Sequence, residues 1–238
     1  MQLHDFRALS FDCYGTLIDW ETGIWNALAP LRSLGLADRG AALAAFATHE
    51  SAIQKAHQEA SYPDVLARVH RRIADEFGLD AEPEFDARFG RSLRDWPPFP
   101  DSSAALRYLG EYFRLIILSN VNRAGFASSA HSLEARFDAV YTAEDIGSYK
   151  PDPRNFHYLV ARCEQDFGIR KTELLHVAQS LYHDHVPARA AGLSTAWIDR
   201  QRGRDGATKP VTDQPDVTFI FPDLASLAAQ HKAELDLA

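Results

Sequence analysis

The sequence predicts an α/β protein: a doubly wound parallel sheet with an all-helical segment inserted after its first strand. Three observations predict it. Short apolar runs alternate with helical stretches from about residue 102 onward. The residues able to do chemistry fall where those runs stop. Between about 20 and 96 the apolar residues keep helical spacing and form no convincing strand.

The first strand is Ala8 to Phe11, closed by Asp12 and followed by a turn at Gly15. The next segment is rich in Ala, Glu and Arg and carries Leu43, Phe46 and Ile53 at helical spacing. Asp38 is placed to cap one helix. Ser61, ahead of Tyr62 and Pro63, is placed to start another, since proline fits a first helical turn. Phe85, Phe89 and Leu93 recur every fourth residue. Pro97-Pro98-Phe99-Pro100 ends the insert, because such a run cannot continue a helix.

Apolar runs suited to buried parallel strands follow at Arg114–Leu118, Ala139–Tyr141, Leu174–Ala178, Thr195–Ile198 and Val217–Ile220. Helices are expected around 102–111, 153–168 and 184–191, and a last one from about Leu224. Gln201 to Asp216, with its Gly, Asp, Lys and Pro residues, reads as a mobile loop. The expected division is a core of 1–18 and 97–238 and a helical insert of 19–96.

At 238 residues, 46% of them hydrophobic and 24% charged, the chain is long enough to bury a sizeable core. A formal charge of −8 and the lack of a long basic run argue against nucleic-acid and membrane-surface partners. An anionic substrate therefore needs local positive groups. Cys13 and Cys163 give neither a disulfide framework nor a zinc spacing. Met1 to Phe11 holds His4, Asp5 and Arg7 and lacks the apolar stretch of a signal peptide. No run reaches the roughly 20 apolar residues of a membrane span. A cytoplasmic location is the expectation.

Four motifs sit at strand ends. In Phe11-Asp12-Cys13-Tyr14-Gly15-Thr16-Leu17, a carboxylate held by a strand and a glycine turn can act as a covalent nucleophile, or simply close the turn. Leu118-Ser119-Asn120 offers a hydroxyl and an amide to an anionic oxygen, or a helix cap. In Tyr149-Lys150-Pro151-Asp152 the proline extends Lys150 at the entry to a helix, where it can offset Asp12 or face solvent. In Val177-Ala178-Gln179-Ser180-Leu181-Tyr182-His183-Asp184, the aspartate follows a strand and opens a helix. His183 and His185 invite a metal, yet no third ligand stands at a recognisable spacing.

Together, the order Asp-strand, Ser-strand, Lys-Pro-helix, strand-Ser-x-x-x-Asp resembles the haloacid dehalogenase superfamily over nearly the whole chain. The resemblance implies a Rossmann-like core with a helical cap at 19–96. It also implies a catalytic set of Asp12, Lys150, Asp184 and Thr16. Substrate contacts would come from Tyr14, Ser119, Asn120, Gln179 and Ser180.

Most members of that superfamily are magnesium-dependent phosphatases with an Asp-x-Asp first motif, whose second Asp is the general acid, and a Gly-Asp-Ser-like fourth motif. Here those carboxylates are replaced by Tyr14 and Gln179. Magnesium prefers carboxylate and water oxygens, and tyrosine is a far weaker acid, so neither tight magnesium binding nor efficient phosphatase turnover is expected. The chain is more similar to the 2-haloacid dehalogenases, which share Asp-x-Tyr-Gly-Thr-Leu, Leu-Ser-Asn and Tyr-Lys-Pro-Asp. The implied reaction needs no cofactor and takes a small anionic substrate.

Departures from that pattern are also present. Family dehalogenases hold the leaving halide with a cap arginine, and Ala41 to Ala60 contains none; His49, Lys55 and His57 are the polar substitutes, with Trp20 as a further pocket candidate. Phe156 stands where these dehalogenases can carry a tyrosine. Two other readings stay open: a superfamily hydrolase acting on a phosphate or other ester, and a non-catalytic homologue. A homodimer enters by family analogy alone.

Overall fold

The computed structural model describes residues 1–57, 60–202 and 215–237. Most of the loop expected at Gln201 to Asp216 lies outside the described residues. Six strands, β1 (Ala8–Phe11), β2 (Arg114–Ser119), β3 (Ala139–Thr142), β4 (Leu174–Ala178), β5 (Ser194–Ile198) and β6 (Phe219–Phe221), form one sheet. All pairings are parallel and the order is β3-β2-β1-β4-β5-β6. This is the doubly wound order, in which β1 lies at the centre.

Alternate strand residues feed two cores, as a pleated strand requires. Leu9, Phe11, Leu115, Ile117, Leu175 and Val177 pack on one face, and Ala8, Ile116, Leu118 and Leu174 on the other. With both faces covered, the strands read as near-continuous apolar runs. Ser10 on β1 and His176 on β4 interrupt those runs, and they are register partners.

Between β1 and β2 come α1 (Trp20–Ala27), α2 (Ala29–Ser33), α3 (Arg39–Ala56), α4 (Tyr62–Glu76) and α5 (Pro83–Gly90). Asp38 caps α3 by accepting from Ala41 N–H, and Ser61 caps α4 by accepting from Asp64 N–H. Such caps are each worth about 1 kcal/mol. The two chain crossings run side by side: Asp19 N–H donates to Pro97 O at 2.8 Å and Phe99 N–H to Leu17 O at 3.0 Å. The remaining helices are α6 (Ser102–Leu109), α7 (Arg123–Leu133), α8 (Ala143–Ile146), α9 (Arg154–Phe167), α10 (Val186–Ala190) and α11 (Leu224–Asp236). Among the described residues no helix is long and apolar enough to cross a membrane.

Three local expectations are corrected. β6 begins two residues late, because Thr218 meets Thr195 partly through its side chain, its hydroxyl accepting from Thr195 N–H. α7 was not expected: its buried face is Phe126, Ser129 and Leu133, and a serine breaks the apolar period. Asp184 does not open its helix; it lies inside a π-helical turn, Leu181–His185, that runs into α10.

Candidate active site

The strand order places a crevice beyond the carboxyl ends of β1, β2 and β4. Asp12 follows β1 by one residue and stays in the ladder, its N–H donating to Val177 O at 3.1 Å. The chain then turns at Gly15, whose φ is +99°. A side chain there would be strained and would stand 3.1 Å from Trp20 Nε1, so glycine is required. Thr16 Oγ1 donates to Asp12 Oδ2 at 2.8 Å and accepts from Gln179 N–H at 2.9 Å, which locks the carboxylate to the strand beside it.

Lys150 is almost fully buried, and all three of its ammonium protons are used. Nζ donates to Asp12 Oδ1 at 2.8 Å, Asp184 Oδ1 at 2.7 Å and Leu118 O at 3.0 Å. Its backbone is clamped by Asn120: Lys150 N–H donates to Asn120 Oδ1 at 2.7 Å and Asn120 Nδ2 to Lys150 O at 3.1 Å. The Lys150-Pro151 peptide is cis. Lys150 is not at the helix entry, since α9 begins only at Arg154 and a turn, Asp152 N–H to Tyr149 O, intervenes. Asn120 thus acts first as the brace of Lys150. The helix cap weighed for Ser119-Asn120 falls instead to Asn122, which accepts from Gly125 N–H at 3.3 Å.

Behind Asp184 stands a buried relay. His176 Nε2 lies 3.1 Å from Asp184 Oδ1, and its Nδ1 lies 2.9 Å from Ser10 Oγ. A carboxylate only accepts, so Nε2 donates and Ser10 donates to Nδ1 when the ring is neutral. Phe156 from α9 packs edge-on against the His176 ring, so this position supports the relay from inside the core. Burial pushes Asp184 up, but Lys150 and His176 outweigh it and hold its carboxyl well below the usual range. Burial raises Asp12 above its ordinary 3.8 against the pull of Lys150. Lys150 itself is raised despite burial, because two carboxylates face it.

Tyr14 is not placed as an acid. Its hydroxyl is 2.7 Å from Ser129 Oγ, and burial drives its pKa well above 10.0. Ser180 Oγ accepts from His183 N–H at 3.1 Å, and Gln179 O accepts from Trp197 Nε1 at 2.9 Å. His185 turns into the core, its Nε2 2.9 Å from Ala178 O, and burial lowers it to about 4, which favours the neutral ring. Magnesium asks for several anionic or water oxygens in an octahedron. Here Lys150 occupies Oδ1 of both aspartates and Gln179 offers only a neutral amide, a donor set that does not fit a tightly held divalent ion.

A cavity of about 520 Å³ opens over Asp12, between the strand ends and the helical insert. The core side supplies Asp12, Tyr14, Ser119, Asn120, Lys150, Gln179, Ser180, His183 and Asp184, and the insert side includes Trp20, Phe46, Glu50, Ser51, Gln54 and Tyr62. Trp20 both lines this cavity and packs against the core. His49 and Lys55 do not line it. His49 Nε2 pairs with Glu76 at 2.6 Å on the side of α3 that faces α4, and Lys55 is exposed. Among the described residues no arginine lines the cavity. Instead α3 presents Glu50, which accepts from Tyr62 Oη at 2.5 Å.

Reading motifs at strand ends missed His176, Ser10, Glu50 and Tyr62. A histidine inside Leu174-Leu175-His176-Val177-Ala178 was a visible signal: a polar side chain in a doubly covered strand needs a partner.

The family model described as haloacid dehalogenase-like hydrolase matches residues 6–192. The phosphoserine phosphatase of Thermus thermophilus is 30% identical over 165 residues, 65% of this chain and 63% of that protein. That match covers less than two thirds of the relative. The (S)-2-haloacid dehalogenase 4A of Burkholderia cepacia is 25% identical over 202 residues, 82% of this chain and 84% of that one. A solved L-2-haloacid dehalogenase is similar with a TM-score of 0.78 and 26% identity, over 96% of this chain and 99% of that one.

Proposed function

The chain belongs to the haloacid dehalogenase-like hydrolases, and from that membership we propose that it is a metal-independent 2-haloacid dehalogenase. In the first step the Asp12 carboxylate attacks C2 of a small 2-haloacid; a C–O bond forms, the carbon–halogen bond breaks and halide leaves with the electron pair. In the second, water attacks the Asp12 carboxyl carbon, gives up its proton and releases a 2-hydroxy acid with the Asp12 carboxylate restored. Asp184, kept ionised by Lys150 and His176, orients and deprotonates that water. Lys150 balances the charge on both aspartates. Ser119 and the second Nδ2 hydrogen of Asn120 hold the substrate carboxylate.

The observation that carries this reading is Tyr14. It stands where a phosphatase keeps its proton donor, with its hydroxyl tied to Ser129 and its acidity suppressed by burial. A halide leaves without a proton, so the reaction needs no acid there, and attack at saturated carbon needs no metal to neutralise a phosphate. The dehalogenase relatives support the same class.

The phosphoserine phosphatase relative favours a second reading, hydrolysis of a phosphate monoester. Halide release separates the two. The purified protein is incubated with 2-chloropropionate, 2-bromopropionate and fluoroacetate in excess chelator, with Asp12→Asn as control. Release that survives the chelator and vanishes in the variant is expected. Silence on all three, with turnover of phosphate esters on adding magnesium, contradicts the proposal and supports the second reading.

A further inference from the structure

The insert side of the cavity carries a polar group that the dehalogenation chemistry does not use. Glu50, half-buried on α3, accepts from Tyr62 Oη at 2.5 Å and from Gln54 Nε2 at 3.4 Å. Among the described residues both bonds fall on Oε1, and Glu50, Gln54 and Tyr62 all line the cavity. The walls therefore bring three carboxyl groups, those of Asp12, Asp184 and Glu50, against a single ammonium, Lys150, already bonded to two of them. No arginine and no second lysine lines the cavity among the described residues. With Lys150 committed to Asp12 and Asp184, Glu50 faces the cavity without a cation of its own among the described lining residues, and suits a ligand whose far end brings a positive group. About 520 Å³ also falls in the range of roughly 300–1,000 Å³ that takes drug-sized ligands, far more than a three-carbon acid fills.

We propose that Glu50, braced by Tyr62 and Gln54, is a specificity-determining residue that receives an ammonium group at the end of the substrate remote from the reacting carbon. The substrate is then a zwitterion: an acid end at Ser119 and Asn120 with its reacting carbon over Asp12, an aliphatic middle along Trp20 and Phe46, and an amine end at Glu50. This rests on the dehalogenase reading for the acid end only. Burial pushes Glu50 up to about 7, as suits a carboxyl that ionises fully when a cation arrives. Tyr62 from α4 and Tyr149 from the core face it, and both are weak acids that stay neutral there.

The test is calorimetric binding at pH 8 of 2-hydroxy acids of four to six carbons bearing a terminal amine, each against the isostere with a terminal methyl group. In the wild type, the best-fitting amine is expected to bind at least about tenfold tighter than its isostere, the size of one charge-assisted hydrogen bond. Glu50→Gln should abolish that preference, and Tyr62→Phe should leave most of it. No preference for any amine, or one that Glu50→Gln leaves intact, overturns the proposal. Binding needs no turnover, so a silent halide assay with an intact amine preference fells the dehalogenase reading alone, and the converse fells this one.

Discussion

His176 Nε2 donates to Asp184 Oδ1 at 3.1 Å, from a ring that is fully buried and anchored on its other side by Ser10. Asp184 therefore owes its orientation and its ionisation to a strand neighbour as well as to Lys150. His176→Asn is expected to lower kcat roughly 10- to 100-fold, the worth of one hydrogen bond to a charged group, with little change in KM. The acid limb of the pH–rate profile should move to higher pH, because Asp184 loses one of the partners holding its pKa down. Equal loss at every pH would assign His176 to packing only.

Removing the ammonium between the two aspartates leaves like charges facing each other in a buried site. Lys150→Met is expected to abolish turnover and to destabilise the fold by about 3–5 kcal/mol in urea titration. Adding Asp184→Asn should restore much of that stability and none of the activity. A Lys150→Met protein as stable as the wild type would mean that the triad of charges is not coupled.

Tyr14→Phe separates the two chemistries. It loses the bond to Ser129 and about 1 kcal/mol of stability. Halide release should change by less than about threefold, whereas loss of a true general acid costs roughly 10²–10⁴. A loss on that larger scale would make Tyr14 a proton donor.

Glu50 gives the fold a pH dependence of defined sign. Its carboxyl is raised from 4.5 to about 7 by burial, so its contribution is full below about pH 4.5 and is lost as pH rises through 7. Relative to Glu50→Gln, the wild type should lose up to about 3 kcal/mol between pH 4.5 and 8, read from urea midpoints. Parallel curves for the two proteins would contradict a raised Glu50 carboxyl.

The strands were legible because apolar runs bounded by Asp12, Ser119 and Gln179 admit few other placements, and the four strand-end motifs meet at the crevice for the same reason. The face of α3 was not legible. Helical spacing says that Phe46 and Ile53 share a side, but which neighbour fills each remaining angle is set by α4 and the core, so His49 went to Glu76 and Glu50 to the cavity. The Ser10–His176 pair was hidden differently. It joins residues 166 apart in sequence, and only the parallel register of β1 with β4 makes them neighbours.

The central claim is a covalent ester on Asp12, and a single turnover in ¹⁸O-labelled water tests it most directly. With enzyme in excess over 2-chloropropionate, the account predicts unlabelled oxygen in the new hydroxyl of the product and a mass gain of one ¹⁸O in the peptide that holds Asp12. Label in the product hydroxyl, with none on Asp12, would mean that water attacks the substrate carbon directly, and would contradict Asp12 as the nucleophile.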